Sequence, residues 1–365
     1  MRIAHVTPTF WPEVMRGTER LVHDLGREST EHGHEVTVLT SHRSRPRTTT
    51  EDGMHVVRRW RPPELAPLRS YEYHLPNMAN VVAGLRGSSF DLAHVHFPSD
   101  AFAAALARHR GGPPFVFTMH GLPTREYLVA RRYRLDMLRR VVARAELCTV
   151  GSEAAARPFR RYLFRDPEVV HPGIRAADFA AAAERAQEPT LVCPASLGDP
   201  RKRAGLLFGA FTRLRERRPD ARLLIFEGRD PVHSRGAVPK IPAGVEVLPA
   251  QGSSARLAEV YASSWVTVLP AVGEAFGMVL TESLAAGTPV VADTSGAGPE
   301  IVADAPVGRL FESDDEGSLV RAMDEALQLA SEPGTAAACR SRAAEFDWAR
   351  IVPAWERLYR EAVGA

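Results

Sequence analysis

Two glutamates, Glu274 and Glu282, lie close together in the segment VTVLPAVGEAFGMVLTESLAAGTPVVAD and could bind hydroxyl groups. Ionised carboxylates only accept hydrogen bonds, so a polyol is a suitable ligand for them. The N–H groups at the start of a helix favour anions. A ligand that combines a sugar, a diphosphate and a ribose would match both features. The alternative is that both glutamates are solvated surface residues, which are common on helices.

The local pattern places the two glutamates in a β-loop-α-β unit. Residues 266–269 form a short apolar run typical of a buried parallel strand, and residues 271–277 form a loop. Residues 278–286 have helical spacing, Gly287 and Pro289 end that helix, and residues 290–292 are the next strand. Glu274 is therefore predicted in the loop and Glu282 on the helix. Ligands bind beyond the carboxyl ends of such strands.

The segment GEAFGMVLTE, followed by Gly-Thr-Pro-Val-Val, resembles the E-x7-E signature of the retaining nucleotide-sugar glycosyltransferases of family 4. The resemblance implies a GT-B fold, with Glu274 on hydroxyls of the donor sugar and Glu282 on the ribose. It also places Gly228 at a turn near the nucleobase. The helix start is the candidate diphosphate cradle, formed by Phe276, Gly277, Met278 and Val279.

A basic turn, Pro200-Arg201-Lys202-Arg203, resembles the part of the family that binds the donor diphosphate. Family members carry an arginine in a Gly-Arg-Leu turn and a lysine several residues later. Here Ser196 occupies the arginine position, and the resemblance assigns the lysine to Lys202. Arg201 or Arg203 could replace the missing arginine, and the sequence does not decide between them. The alternative is a solvated basic turn.

The loop TPTFWPEVMRGTE after the first strand lacks G-x-G-x-x-G, which disfavours a dinucleotide site. It resembles the Gly-Gly-x-Glu loop of the family, which lies over the donor phosphates. Arg16 replaces the first glycine and Gly17 keeps the second. Arg16 could itself meet a phosphate or an acidic acceptor.

Two histidines, His96 and His120, are predicted at the ends of neighbouring strands. A histidine in such a position is often a packing or capping residue. The Thr-x-His-Gly at His120 resembles the family histidine at the acceptor-facing edge of the donor sugar. The resemblance therefore makes Glu274, Lys202 and His120 the candidate catalytic residues. Arg16 and His96, from their positions in the sequence, join His120 as candidate acceptor-side residues.

The repeated alternation of strands and helices predicts two doubly wound α/β domains, because 365 residues exceed what one core usually serves. We expect an acceptor-side Rossmann-like domain over residues 1–172 and a nucleotide-sugar-binding one over residues 173–345. The resemblance implies that they face a cleft and that a C-terminal helix, residues 346–365, crosses back to complete the first domain.

Several local patterns give further expectations. Thr18 is predicted to cap the first helix, and residues 313–316 to form a capping box. Residues 42–67 are predicted to be irregular apart from a short strand at 55–57. Residues 125–145 are predicted to form one arginine-rich helix packed on the core. The alternative, which stays open, is a basic amphipathic helix lying on anionic lipid.

Bulk composition narrows the class of protein. A net charge of +2 gives no reason to expect nucleic acid as a partner, and the three cysteines lack metal-ligand spacing. No Asp-x-Asp occurs, so neither a metal nor another cofactor is expected. The absence of a long apolar segment predicts a cytoplasmic protein, with peripheral contact to anionic membrane as the open alternative.

The activity implied by the resemblance is retaining transfer of a hexose-type sugar from a nucleoside-diphosphate sugar to an acceptor hydroxyl. The acceptor itself is not identified by the sequence, and the expected mechanism uses one face of the sugar and no metal. Two alternatives stay open at this point. One is another GT-B activity on the same donor, an epimerase or a disaccharide phosphorylase. The other is a catalytically silent nucleotide-sugar-binding protein.

Overall fold

A computed structural model describes residues 1–61, 75–180, 183–195, 198–227, 239–249, 253–303 and 306–364. The chain divides into two compact units. Unit 1 comprises Met1–Gly173 and Ile351–Ala365, and unit 2 comprises Ile174–Arg350. Each unit is built around one sheet of mostly parallel strands.

Unit 1 contains an eight-stranded sheet in the order β3-β4-β2-β1-β5-β6-β7-β8. All of its neighbouring strands are parallel except β3 and β4. The strands are β1 Arg2–Val6, β2 Glu35–His42, β3 Arg47–Glu51, β4 Met54–Trp60, β5 Leu92–Val95, β6 Phe115–Met119, β7 Leu147–Val150 and β8 Glu168–Val169. The strand order reverses between β1 and β5, and such a switch point is where α/β sheets bind ligands.

The helices of unit 1 follow its strands along the chain. They are α1 Gly17–Glu31, α2 Leu75–Leu85, α3 Pro98–Arg108, α4 Arg125–Val129, α5 Arg134–Val142 and α6 Glu153–Leu163. The apolar sides of α3, α5 and α6 bury residues such as Ala104, Leu138 and Phe159 against β5, β6 and β7. This packing keeps the ends of the central strands in fixed positions.

Two local predictions for unit 1 were wrong, and a third was right only in part. Helix α1 begins at Gly17, with Arg16 and not Thr18 at the N-cap. Residues 125–145 form two helices, α4 and α5, where one was predicted. In the third, the strand predicted at 55–57 is present within β4, but the preceding residues, expected to be irregular, form β3, which pairs antiparallel with β4 through a turn at Asp52 and Gly53. Both residues have positive φ, 47° and 79°, which is the two-residue hairpin turn that Asp-Gly favours.

The last helix of the described chain, α13 Trp348–Val363, begins in unit 2 and continues into unit 1 from Ile351. In unit 1 its Tyr359 is fully buried, and Trp355 packs with its ring centroid 4.8 Å from that of His94. Glu356 accepts a hydrogen bond from His34 at 2.6 Å if that nitrogen carries the proton. Helix α13 therefore covers one face of the unit 1 sheet.

Unit 2 contains a six-stranded parallel sheet in the order β11-β10-β9-β12-β13-β14. Its strands are β9 Thr190–Cys193, β10 Arg222–Phe226, β11 Val245–Leu248, β12 Val266–Leu269, β13 Val290–Asp293 and β14 Gly308–Phe311. Its helices before α13 are α7 Ala204–Arg217, α8 Ser254–Ser263, α9 Met278–Ala285, α10 Gly298–Val302, α11 Glu316–Ala330 and α12 Thr335–Ala343. The strand order of this sheet reverses between β9 and β12.

The predicted capping box of α11 was also wrong in its detail. Asp315, and not Ser313, is the N-cap residue, and its carboxylate accepts a hydrogen bond from the Ser318 backbone N–H at 2.9 Å. The Ser313 hydroxyl instead donates to Asp293 at 2.6 Å. The sequence pattern located the start of the helix correctly and assigned the cap to the wrong residue.

Candidate functional site

The loop that carries Glu274 follows β12, at the switch point of the unit 2 sheet. The Glu274 carbonyl accepts a hydrogen bond from the Ala297 backbone N–H at 3.0 Å, and the Gly273 N–H donates to the Ser295 hydroxyl at 3.1 Å. A Cβ atom at Gly296 would lie 2.5 Å from the Glu274 carbonyl oxygen. Gly296 is therefore required for the close approach of the two loops, and these contacts fix the Glu274 backbone.

Lys202 follows β9, the other strand at this switch point, and ends a single 3₁₀ turn formed by residues 200–202. Its ammonium group lies 2.6 Å from the Glu274 carboxylate. Burial alone would raise the pKa of Glu274, but the charge of Lys202 and its hydrogen bond outweigh burial and lower it. Glu274 is thus ionised at neutral pH. The structure brings together a cation and an anion that the sequence analysis had assigned to one donor.

The two arginines beside Lys202 have different environments. The Arg201 guanidinium donates to Asp199 at 2.6 Å, yet 56% of its side chain is exposed. Arg203 is only 11% exposed and donates to Asp293, to Asp314 at 2.8 Å and to the Pro270 carbonyl at 2.7 Å. Arg203 therefore ties the end of β13 to the segments that follow β12 and β14. Of the two arginines, only Arg201 has a largely solvent-facing side chain.

Glu282 lies on α9 and is 2% exposed. Its carboxylate accepts a hydrogen bond from the Tyr261 hydroxyl at 3.2 Å, so α8 helps to orient it. The contribution of Tyr261 was missed by the sequence analysis, because no pattern links a tyrosine on α8 with a glutamate on α9.

The residues of the predicted diphosphate cradle surround the start of α9. Gly277 is the N-cap with φ of 91°, and Met278 and Val279 form the first turn. The ring of Phe276 is buried edge-on against Phe346, with centroids 5.5 Å apart, so its side chain belongs to the core. Gly228 and Ser196 lie outside the described residues.

In unit 1, Arg16 is held by a buried acid. Its guanidinium Nε donates to the Glu19 carboxylate at 3.1 Å, and the Thr9 hydroxyl donates to the same carboxylate at 2.7 Å. Glu19 is fully buried, and Gly17 begins α1 between the two charged residues. The Arg16 side chain thus fixes the loop after β1, a role that the sequence analysis did not assign to it.

His96 and His120 follow β5 and β6 in unit 1 and are hydrogen-bonded, with His96 Nδ1 and His120 Nε2 3.0 Å apart. His96 Nε2 also lies 3.1 Å from His5 Nδ1. His5 pairs with His94 in the sheet register, so His5, His94 and His96 point to the same face, beneath α13. Burial lowers the pKa of His5 to about 3 and that of His120 to about 4. These imidazoles are therefore neutral at physiological pH.

Within the described part of the chain, His5, His94 and His96 are the only group whose ligand atoms are close enough to share a metal ion, all lying within 4.8 Å of one another. Each ring already forms hydrogen bonds. His94 contacts the Tyr359 hydroxyl through Nδ1 at 2.8 Å and the Thr118 hydroxyl through Nε2 at 2.6 Å. A metal ion would have to break these bonds, so the arrangement is that of a hydrogen-bonded network.

Asp100, at the start of α3, is a further buried acid that the sequence analysis missed. Its carboxylate accepts hydrogen bonds from the Asn77 side chain at 3.3 and 3.4 Å. Burial raises its pKa to about 7, although Asn77 and the charge of Arg61 act in the opposite direction. A single aspartate in a helical segment gives no sequence signal for such a shift.

Comparison with protein-family models gave two matches that together extend over most of the chain. Residues 15–178 match the model described as Glycosyltransferase Family 4, and residues 188–329 match the model described as Glycosyl transferases group 1. The chain belongs to glycosyltransferase family 4. The family predicted from the E-x7-E segment is therefore confirmed.

This family 4 glycosyltransferase has relatives among proteins of known activity. It is 27% identical over 388 residues to a phosphatidyl-myo-inositol mannosyltransferase of Mycolicibacterium smegmatis, covering 100% of this chain and 95% of the relative. It is 29% identical over 306 residues to a D-inositol 3-phosphate glycosyltransferase of Mycobacterium leprae, and this match covers 75% of this chain and 70% of the relative.

Solved structures confirm the predicted GT-B fold of the glycosyltransferase. Sucrose-phosphate synthase from Thermosynechococcus elongatus superposes with a TM-score of 0.81 and 21% identity, covering 99% of this chain and 98% of that one. An Anabaena protein, HepE, in complex with UDP and glucose, superposes with a TM-score of 0.74 and 16% identity. This match covers 98% of this chain and 99% of HepE.

The arginine-rich segment of the glycosyltransferase packs on the unit 1 core, as predicted. Leu128, Leu138 and Val142 are buried in the unit 1 core, so the apolar sides of α4 and α5 are already covered. Val129, the last residue of α4, and Tyr133, the residue before α5, are exposed. Among the described helices, none combines the length and the apolar composition needed to cross a bilayer.

Proposed function

We propose that this glycosyltransferase moves a hexose from a nucleoside-diphosphate sugar to an acceptor hydroxyl with retention of configuration and without a metal ion. In this proposal Glu274 binds hydroxyls of the sugar, Lys202 binds the diphosphate and Glu282 binds the ribose. Residues 276–279 offer backbone groups to the phosphates, and Gly228 lies near the base. For unit 1, the proposal keeps the predicted roles of Gly17 toward the phosphates and of His120 toward the sugar.

The observation that carries the proposal is the pairing of Lys202 and Glu274 at the switch point of unit 2. Lys202 follows β9 and Glu274 follows β12, and these two strands are neighbours in the sheet. Helix α9 begins close to Glu274, and the N-cap residue Gly277 provides no side-chain cap for its first N–H groups. Backbone N–H groups at a helix start favour phosphate. The lysine and the helix start suit the diphosphate of a donor, and the carboxylate of Glu274 suits its sugar. Their proximity is what a single nucleotide-sugar donor would require.

The proposed chemistry is a same-face displacement. The bond between the anomeric carbon and the diphosphate oxygen breaks, and a new bond to the acceptor oxygen forms on the same face. The proton of the acceptor hydroxyl passes to the departing diphosphate. Lys202 and the N–H groups of α9 stabilise the charge that develops on the leaving group, which is the usual form of electrostatic catalysis.

Double displacement would instead require a carboxylate nucleophile beside the anomeric carbon. Glu274 is paired with Lys202, and two further carboxylates of unit 2, Asp199 and Asp293, are held by Arg201 and Arg203. These pairings favour the same-face mechanism.

The names of the two mycobacterial relatives indicate which acceptors to test first. One acts on D-inositol 3-phosphate and the other on phosphatidyl-myo-inositol. We therefore propose a cyclitol or its phosphate as the acceptor class. A lipid-linked cyclitol would bring the protein to a membrane surface, where Val129, Tyr133 and the neighbouring arginines would be available for peripheral contact.

The test is a thermal-shift screen of nucleotide sugars, followed by transfer assays with the best donor and an acceptor panel of free, phosphorylated and lipid-linked cyclitols. NMR of the product should show the anomeric configuration of the donor. An inverted product would contradict retention. An epimerised nucleotide sugar or a phosphorolysis product would establish the other GT-B activity. Tight donor binding without turnover on any acceptor would establish a binding protein.

A further inference from the structure

A row of hydrogen-bonded imidazoles leads from the interior of unit 1 to its surface. His120 is partly exposed, whereas His96 and His5 are buried. The nitrogen pairs are His120 Nε2 with His96 Nδ1 at 3.0 Å and His96 Nε2 with His5 Nδ1 at 3.1 Å. His5 Nε2, at the inner end, is buried and has no hydrogen-bond partner among the described residues.

The three rings are neutral at physiological pH. Burial is the largest cause for each of them and lowers the pKa of His5 to about 3, that of His120 to about 4 and that of His96 well below the ordinary value. For His96, a charge on His94, His120 or His5 would lower the pKa further. A neutral imidazole has one N–H donor and one acceptor nitrogen.

Only two proton arrangements satisfy both hydrogen bonds, because His96 must donate from one nitrogen and accept at the other. In the inward arrangement, His120 donates to His96 and His96 donates to His5, which leaves the His5 proton on Nε2. That N–H would be buried without an acceptor, and orphaned buried N–H groups are rarer than orphaned acceptors. The outward arrangement leaves only an unpaired acceptor at this position.

We infer that His5 and His96 are positioning residues that hold His120 in the tautomer with its proton on Nδ1. His5 Nδ1–H donates to His96 Nε2, and His96 Nδ1–H donates to His120 Nε2. His120 then presents an N–H donor, and the ligand group that it suits is a hydroxyl, ring or phosphate oxygen. This inference refines the proposed role of His120 toward the donor sugar and, in that respect, rests on the proposed function.

The direct test is the tautomer of each histidine in the full-length protein. Long-range ¹H–¹⁵N correlation spectra of protein with ¹⁵N-labelled histidine distinguish protonated from bare ring nitrogens, and single His→Gln variants assign the signals among the 13 histidines. The expected result is a protonated Nδ1 and a bare Nε2 in His5, His96 and His120. A protonated Nε2 in His120, or an average of both tautomers, would overturn the inference.

Two variants of His5 separate positioning from a merely structural role. His5→Phe keeps a ring in the buried space and removes the donor, so His120 should lose its fixed tautomer and kcat/KM should fall about tenfold, as for one lost hydrogen bond. His5→Asn places an amide near the Nδ1 position and should restore both the Nδ1–H signal and most of kcat/KM. Equal tautomer spectra in the wild type and His5→Phe would contradict the inference.

The spectra need no substrate, which separates this inference from the proposed function. If His120 carries its proton on Nδ1 but the protein transfers no sugar, the tautomer inference is supported and the proposed function is contradicted. If the protein is a retaining transferase but His120 carries its proton on Nε2, the proposed function is supported and the tautomer inference is contradicted. If His5→Phe fails to fold, the spectrum of the wild-type protein alone tests which ring nitrogen of His120 carries the proton.

Discussion

The Lys202 ammonium lies 2.6 Å from the Glu274 carboxylate, although 72 positions separate the two residues in the chain. The ammonium and the carboxylate neutralise each other's charge. If the donor diphosphate binds Lys202 and the sugar hydroxyls bind Glu274, donor binding replaces one ion pair with two separate interactions. The pair would thus keep both side chains ordered before the donor arrives, which reduces the entropy lost on binding.

Replacing Lys202 should therefore affect turnover more than removing the exposed charge of its neighbour Arg201. We expect Lys202→Ala to cost about 2 to 4 kcal/mol in transition-state stabilisation, as loss of one preorganised donor does in other enzymes. The matched control is Arg201→Ala, whose side chain is largely exposed and should cost less than about 1 kcal/mol. Steady-state kcat/KM for both variants checks the prediction. Near-normal kcat/KM in Lys202→Ala would show that the lysine is misassigned.

The same substitution should change the pH profile. Lys202 lowers the pKa of Glu274, so its loss leaves burial as the dominant influence and raises that pKa. The acid limb of kcat/KM should consequently move to higher pH in Lys202→Ala, because Glu274 becomes protonated earlier as the pH falls. An unchanged acid limb would indicate that Glu274 does not control it.

The two glutamates should divide donor recognition between them. Glu282→Gln should weaken binding of free nucleoside diphosphate about tenfold or more, since a hydrogen bond to a charged group contributes about 1.5 to 3 kcal/mol. Glu274→Gln should leave that affinity nearly unchanged and lower turnover and sugar discrimination. Calorimetric titration with the free diphosphate measures the first effect. An equal loss of affinity in both variants would contradict the division.

Transfer should persist in excess chelator. The leaving group is proposed to be stabilised by Lys202 and by the start of α9, and these groups supply positive charge without a divalent cation. The measurement is the initial rate with and without EDTA, followed by addition of Mg²⁺ or Mn²⁺. A rate lost in EDTA and regained with either ion would exclude the metal-independent mechanism.

Arg203 should matter for stability, because its guanidinium joins three strand ends through Asp293, Asp314 and the Pro270 carbonyl. Arg203→Ala should destabilise the protein by about 3 kcal/mol, since it leaves the buried Asp293 carboxylate without its cation. The control is Arg213→Ala, which removes an exposed pair with Glu316 and should cost less than about 1 kcal/mol. Urea denaturation measures the stability of both variants. Equal denaturation midpoints for Arg203→Ala and Arg213→Ala would contradict the structural role of Arg203.

His23 should make stability depend on pH near neutrality. Burial opposes its protonation, but the carboxylates of Asp24 and Asp52 outweigh burial and raise its pKa above 6.5. A raised folded-state pKa stabilises the fold fully below pH 6.5, and this contribution is lost as the pH rises through the folded value. The difference in Tm between wild type and His23→Gln should therefore be largest at pH 5 to 6 and shrink toward pH 9. A difference that grows with pH would contradict this assignment.

Much of the unit 2 arrangement could be predicted from the sequence. The apolar run at 266–269, the loop with Glu274 and the helix with Glu282 all follow from local periodicity and from Gly277 and Gly287. The motif is local, so its geometry is determined largely by neighbours in the chain. Its resemblance to a known family then indicated that Lys202 belongs to the same site.

The features that were missed depend on contacts between distant segments. Pairing of His5 with His94 requires β1 and β5 to be adjacent, which no local pattern states. The raised pKa of Asp100 arises from its burial beside Asn77. The structural role of Arg203 arises from three segments of the chain that meet at one edge of the sheet. The turn at Asp52 and Gly53 is a different case. The Asp-Gly pair that favours a hairpin turn was present in the sequence, but the surrounding arginines and prolines led to a prediction of irregular structure.

The crossing of α13 from unit 2 into unit 1 also affects how the protein is made. Unit 1 consists of Met1–Gly173 and Ile351–Ala365, so its last segment is translated only after the whole of unit 2. At about 5 to 20 residues per second, ribosomes need roughly 10 to 35 s for residues 174–350. During that interval the sheet face with His94 lacks Trp355 and Tyr359 above it. The nascent chain therefore carries an uncovered surface that chaperones could bind until synthesis reaches the final helix.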